Sequence, residues 1–271
     1  MRTVRKRSQI VFAVFVIAIL GIITWGVLSS HEPVHAGKPL SAWCEQYGTN
    51  HWPHPGSDSE KQAQAETAIQ YIGTNAFPTL LVMLRANDSS PWKRRLLALA
   101  YKQHLFKIQH VQAWRQNWQA ACAFTALGAK GSNAVPALIE LYNNPPSAPS
   151  QRYTAMTLGN IGPAAKAAIP SLIQAAEHSG ETEVRAYAIN ALSQIRPEPG
   201  LVLPTLIKCL NDSSTVQNEA MDALIAFGPG ARPAVPTLIQ LLQNPNTDIV
   251  SHAQKSLSQI DPAAAAKAGV K

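Results

Sequence analysis

The sequence predicts an all-α fold: an α-solenoid of stacked helix pairs preceded by one N-terminal transmembrane helix. Three observations predict it. A proline-led apolar segment recurs five times. Apolar residues elsewhere follow helical spacing, and no stretch alternates with period two, so no sheet is expected. An uncharged apolar run stands near the N-terminus.

That run covers residues 10–28, IVFAVFVIAILGIITWGVL, 19 residues without a charge. As a helix it would span about 28 Å, close to the hydrocarbon thickness of a bilayer. Arg2, Arg5, Lys6 and Arg7 precede it, and positive charge stays on the cytoplasmic side. Residues 1–9 are thus expected as a cytoplasmic basic tail and 10–28 as a transmembrane signal anchor. The chain is expected in the cytoplasmic membrane as a single-pass protein, N-terminus inside, with everything after the span extracytoplasmic. The competing reading is secretion after signal cleavage, at Val34-His35-Ala36, but the apolar run exceeds the usual 7–15 residues of such signals.

Composition narrows the remainder. Hydrophobic residues make up 46% of 271 and charged ones 14%, well below the roughly 25% of an average soluble domain. Three cysteines exclude a disulfide-dense scaffold. The net charge is +7; without the four basic residues of the N-terminal tail, 19 Lys and Arg face 16 Asp and Glu, about +3. That balance does not call for nucleic acid.

The repeat has two halves. The proline-led segments carry Pro78, Pro136, Pro170, Pro204 and Pro236, spaced by 58, 34, 34 and 32 residues. Positions +2, +3 and +6 from each proline are apolar in nearly every copy, whereas +4 is mostly polar. Proline suits the first turn of a helix, where its missing N–H has no partner to lose. Before each such segment runs a second pattern anchored on Ile72, Leu127, Ile161, Ile195, Phe227 and Ile260. Residues three, four and seven before each anchor are apolar or small and share one helical face. Gly128, Gly162, Arg196 and Gly228 follow four of the anchors. Each unit therefore reads as helix A, a turn, then helix B. The turn Asn87-Asp88-Ser89-Ser90 recurs as Asn211-Asp212-Ser213-Ser214 and suits capping of the next helix A.

This pattern resembles HEAT repeats of the short bacterial type. The resemblance rests on "A..AL..IG...A.AVP.LI.LL" and on Val184-Arg185 near the start of one helix A. Arg152 takes a similar place, and the match fails at Gln217. The segment GKPLSAWCEQY (37–47), followed by repeats, also resembles membrane-anchored bacterial HEAT-repeat proteins. The resemblance implies a solenoid that binds protein along its concave face; no catalysis and no cofactor are expected, since no catalytic motif accompanies the repeats. Residues 29–58 are expected as a linker with a short helix, 59–261 as the repeat domain, and 262–271 as a C-terminal tail.

The 58-residue gap breaks the period by about 24 residues. An irregular insert is expected at about 92–118, with a degenerate helix A near 92–107 and another helix beginning near 112. From Asp88 to Glu140 no acidic residue intervenes. Trp92, Lys93, Arg94, Arg95, Lys102, Lys107 and Arg115 make this stretch a candidate surface for an acidic partner. The other candidate is the +4 column of the B helices, Glu140, Gln174, Lys208 and Gln240, expected on the concave face. The expected partner is a protein, with an anionic surface or polymer as the alternative, besides the bilayer around 10–28. The alternatives to a scaffold are a repeat-fold enzyme of unknown reaction, by resemblance to bilin lyases, and a membrane–wall spacer.

Local chemistry adds little. His31-Glu32-Pro33-Val34-His35 fits H-E-x-x-H, but Pro33 prevents the helix that zinc hydrolysis requires. Cys44, Cys122 and Cys209 fall at apolar positions and read as small buried hydrophobes. No P-loop, G-x-S-x-G or C-x-x-C occurs, and no metal site is expected.

Overall fold

The computed structural model describes residues 32–51, 58–88 and 111–270. It opens with a small antiparallel hairpin, β1 (Val34–His35) and β2 (Lys38–Pro39). Val34 pairs with Pro39 and His35 with Lys38. Ala36 and Gly37, both at positive φ, make its two-residue turn. The expectation of no sheet is corrected here: strands of two residues are too short to show alternation. Helix α1 (Leu40–His51) follows.

Among the described residues six A helices follow: α2 (Ser59–Ile72), α4 (Ala113–Leu127), α6 (Ala148–Ile161), α8 (Thr182–Ile195), α10 (Ser214–Phe227) and α12 (Thr247–Ile260). Between them lie five B helices: α3 (Phe77–Leu84), α5 (Val135–Asn143), α7 (Ile169–His178), α9 (Pro199–Cys209) and α11 (Val235–Leu241). A short helix, α13 (Pro262–Lys267), covers α12. The expected C-terminal tail is therefore largely a capping helix.

The A helices stack in chain order, and each B helix packs against the next A helix. The helical faces read from sequence are the buried ones. Ala65, Ala120, Thr154, Ala188, Ala220 and Ala253, seven before each anchor, are fully buried. Small residues there let neighbouring A helices approach; a Cβ built on Gly159 would lie 2.9 Å from the Ala191 Cα. Two residues after each proline stand Leu80, Leu138, Leu172, Leu206 and Leu238, all fully buried. Burying one leucine contributes roughly 1.5–3 kcal/mol.

Four A helices run into 3-10 turns that begin at Gly73, Gly128, Gly162 and Gly228. The cap glycines of these turns take φ of +53° to +74° with ψ near −135°, a region open only to glycine. Arg196 cannot enter it. It takes the ordinary left-handed conformation, φ 50° and ψ 60°, and the chain passes through Pro197 and Glu198 directly into α9.

Two sequence expectations change. Residues 29–58 were expected as a linker with a short helix; that helix is α1, but it is not a linker element, because its Leu40, Trp43, Cys44 and Tyr47 are buried in the common core against α2 and α4. The insert was expected to reach about 118 with a helix beginning near 112; that helix is α4, and residues 113–118 belong to the repeat stack as its first turns. The degenerate helix A near 92–107 lies outside the described residues. The helix that seats directly on α2 and α3 is α4, so the second unit in space is the one beginning at Ala113.

The expected localisation, a single-pass protein of the cytoplasmic membrane with extracytoplasmic repeats, is corrected. Among the described residues no helix is long and apolar enough to cross a membrane. The longest, α4, has 15 residues, about 22 Å against a hydrocarbon thickness of about 30 Å. Each A helix buries one face and keeps the other polar, as repeat stacking requires. Residues 10–28, on which the expectation rested, lie outside the described residues.

Candidate functional site

Two polar devices position the exposed faces. The first is a column of donors ten residues before four of the six anchors: Asn117, Gln151, Arg185 and Gln217. Each reaches back to carbonyls at the end of the preceding B helix, where intrahelical partners run out. The Asn117 amide, fully buried, donates to the carbonyls of Met83 (2.8 Å) and Leu84 (2.9 Å) and more distantly to Ala86 (3.3 Å). Gln151 donates to Tyr142 O at 3.2 Å, Arg185 to Ala176 O at 3.1 Å and Gln217 to Leu210 O at 2.8 Å. Gln217 thus does what Arg185 does without the charge. Arg152 stands one residue out of this column and pairs instead with Glu183 of α8. Arg185 also pairs with Asp212, tying α8 to the turn before α10.

The second device is Asp88. Its carboxylate accepts from the Ala113 N–H at 2.7 Å, at the start of α4 and 25 residues on in sequence. Asn87 donates to Pro146 O at 2.8 Å. The turn that elsewhere precedes helix A directly therefore still meets its helix, Asp88 standing at the N-terminus of α4.

The charge separates accordingly. Of 23 Lys and Arg, ten lie outside the described residues: four before residue 10, five in 89–110, and Lys271. The described residues carry the other 13 against all 16 Asp and Glu, a net −3. The balance of +3 read from sequence is a basic insert on a mildly acidic stack.

Of the insert candidates, Trp92, Lys93, Arg94, Arg95, Lys102 and Lys107 lie outside the described residues. Arg115 is exposed in the first turn of α4, its guanidinium 6.0 Å from the Trp114 ring centroid. Trp114 is also exposed, whereas Trp118 packs against the core and against Gly48. The structure therefore divides these tryptophans between surface and core.

The +4 column holds together. Glu140, Gln174, Lys208 and Gln240 are exposed on four successive B helices, and Val82 of α3 begins the same column. Beside it, one residue earlier in each helix, runs an apolar row: Leu81, Ile139, Ile173 and Ile207 half-buried, and Ile239 exposed. Lys208 does not stand as an open charge. Its Nζ lies 2.7 Å from Glu177, which also accepts from Thr205 at 2.6 Å. These hydrogen bonds, from Lys208 first and then Thr205, hold the Glu177 carboxyl below its ordinary value.

A cleft of about 550 Å³ opens between α1, α3 and α4. Pro78, Val82, Met83 and Val111 supply its apolar lining. Glu32 and Glu45 are its charged lining residues, and Gln119 of α4 lines it with a side chain only 4% exposed. Sequence reading missed this site. Nothing local marks Gln119, because the cleft exists only where α4 faces α1 and α3.

The H-E-x-x-H match has no catalytic geometry: Val34 and His35 are extended strand, and Glu32 accepts from the backbone and hydroxyl of Ser41. His35 stacks on Tyr71 at 4.4 Å. Among the described residues no group of three His, Cys, Asp or Glu side chains is placed to hold a metal. The three cysteines are buried free thiols, and burial pushes Cys122 up to about 12 and Cys44 higher still. They are thiols rather than thiolates at neutral pH, hence unreactive.

No curated protein matches the chain. Residues 135–225 match the family model for HEAT repeats, a stretch from α5 through most of α10, and the stack of helix pairs is accordingly HEAT-like.

Proposed function

We propose that this chain is a non-catalytic scaffold whose B-helix face holds a protein partner. One observation carries the reading: the exposed column Glu140, Gln174, Lys208 and Gln240 runs beside a continuous apolar row on a single stack of helices. Polar groups fixed beside half-buried aliphatic side chains are what a protein interface needs at its rim and core. The stacked units are already ordered, so little conformational entropy opposes association. The basic segment with Trp92, Lys93, Arg94, Arg95, Lys102 and Lys107, together with exposed Arg115, is a second surface, suited to an acidic region of the same partner.

The test is crosslinking of the full chain in its native cells, read by mass spectrometry. Gln174→Arg with Gln240→Arg should abolish capture of the partner that the parent chain captures, at unchanged melting temperature. Lys93→Glu, Arg94→Glu and Arg95→Glu together should slow association and reduce its salt dependence. A partner captured equally by the parent and by both variants would falsify the reading.

A further inference from the structure

The exposed column of the B helices has a two-fold pattern along its length. In chain order it reads Val82, Glu140, Gln174, Lys208 and Gln240, with Gln174 in the middle. Inversion of that order about Gln174 exchanges Glu140 with Lys208 and Val82 with Gln240, and returns Gln174 to itself. The apolar row beside the column behaves alike. Leu81 exchanges with Ile239 and Ile139 with Ile207, and Ile173 returns to itself.

A two-fold axis lying between two facing stacks, along α7, performs this inversion. Rotation about it reverses the order of the units and keeps each row on its own side. Apolar row then faces apolar row, and polar column faces polar column. Glu140 of each copy faces Lys208 of the other. Glu140 is exposed, and among the described residues no cation pairs with its carboxylate. Lys208 is 58% exposed and holds Glu177 at 2.7 Å; an ammonium group has three donors, so a second carboxylate completes it. Gln174 faces its own copy, and two amides can pair donor to acceptor in both directions. At the two ends stand the exposed apolar residues of this face, Val82 (68%) and Ile239 (39%), which the inversion brings together and covers. An axis along the column would instead set Glu140 against Glu140 and Lys208 against Lys208, a costly like-charge arrangement.

We infer that the B-helix face pairs with the same face of a second copy of this chain, in an antiparallel two-fold dimer with Gln174 on its axis. The inference rests on the scaffold reading, that this face holds a protein, and names that protein as the chain itself. The area available sets the strength. Five B helices at the usual 8–10 Å between axes extend over roughly 40 Å, and their 7–11 residues are about 10–16 Å long. Two such faces bury roughly 1,000 Å² in total, the lower end for a specific interface. The dimer therefore dissociates in the micromolar range.

Crosslinking of the full chain with a short bismaleimide at about 100 µM protein tests the axis. The three native cysteines are buried and do not compete. Gln174→Cys should crosslink to a second copy of itself, whereas Gln240→Cys, two units from the axis, should not. Adding Glu140→Lys to Gln174→Cys should reduce the crosslinked fraction at least about tenfold at unchanged melting temperature, because two like-charge pairs then face each other. Adding Lys208→Glu instead should reduce it similarly, with a lower melting temperature from the lost Glu177 bridge. Mixing these two variants should restore the crosslink, since each then meets the opposite charge in the other. Equal crosslinking of Gln174→Cys and Gln240→Cys, or no recovery on mixing, would overturn the dimer. So would a crosslinked fraction that Glu140→Lys leaves unchanged. A different protein captured by the parent and lost with Gln174→Arg and Gln240→Arg, in a chain that never crosslinks to itself, would sink the dimer and leave the scaffold reading intact.

Discussion

Asn117 and Tyr142 show how differently two fully buried polar side chains contribute. Both sit against the α3–α6 region of the stack, and both keep one atom without a partner, Asn117 Oδ1 and Tyr142 Oη. Asn117 compensates through its amide N–H groups, which close the carbonyl end of α3. Tyr142 has no such compensation at its hydroxyl, and burial drives that group's pKa upward. Asn117→Ala should therefore cost about 1–3 kcal/mol, since the carbonyls of Met83 and Leu84 each lose one of their two donors. Tyr142→Phe should be neutral or stabilising by up to about 1 kcal/mol, since it removes an unpaired group and leaves the packing. Denaturant midpoints of the two variants check both signs. Asn117 was readable in principle: a polar residue ten before the anchor continues the buried face of its helix, where only a hydrogen-bonded side chain is tolerated.

Between elements, carboxylates tie successive units together, and their surroundings give opposite pH dependences. Glu177 of α7 is held below its ordinary value by Lys208 and Thr205 of α9. The stability it contributes is complete above the ordinary glutamate pKa of about 4.3. It is lost as pH falls through the lowered folded value. Glu219 of α10 is raised, by burial first and by Asp222 second, against the opposing effects of Asn190 and His252. Its cost grows as pH climbs from the ordinary value through the raised one. Glu177→Gln should thus flatten the acid limb of the melting-temperature profile. Glu219→Gln should raise the melting temperature at neutral pH, with the gain fading as pH falls toward 4. An acid limb unchanged by Glu177→Gln would show that the α7–α9 bridge contributes nothing to the stack. On α12, His252 meets Asn218 (3.1 Å) and Asp222 (2.9 Å) of α10, a further polar bridge between neighbouring A helices.

Across the whole molecule the decisive feature is the interruption at 89–110. Asp88 reaches Ala113, Asn87 reaches Pro146, and Ser150 donates to Leu84 O at 2.6 Å, so the first unit, the second and the third meet around the point where the segment departs. Joining residue 88 to residue 111 should leave a cooperatively folded stack, with a melting temperature within a few degrees of the parent, since Asp88 already meets the Ala113 N–H at the start of α4. Circular dichroism melts of the deletion variant and parent make the comparison. A broad or much lower transition would show that 89–110 is part of the core. The same deletion removes five basic residues from a chain whose described residues are net negative. The net charge of the whole chain falls from +7 to +2, so its elution on cation exchange at neutral pH should shift earlier.

The sequence by itself determined the repeat, its two helices and their buried faces. Those follow from local signals: proline at a helix start, glycine where the chain needs a glycine-only φ and ψ, and apolar spacing that fixes which side of each helix leaves water. It also placed the exposed column, because +4 falls opposite the buried +2 in a helix of 3.6 residues per turn. Only the tertiary structure decided what depends on neighbours. Asp88 caps a helix 25 residues away, Gln217 replaces an arginine by donating to the same kind of carbonyl, and α1 enters the core instead of spanning a linker. The cleft around Gln119 belongs to the same class. A buried polar side chain takes its meaning from the groups that face it across helices, and no spacing within one helix carries that information.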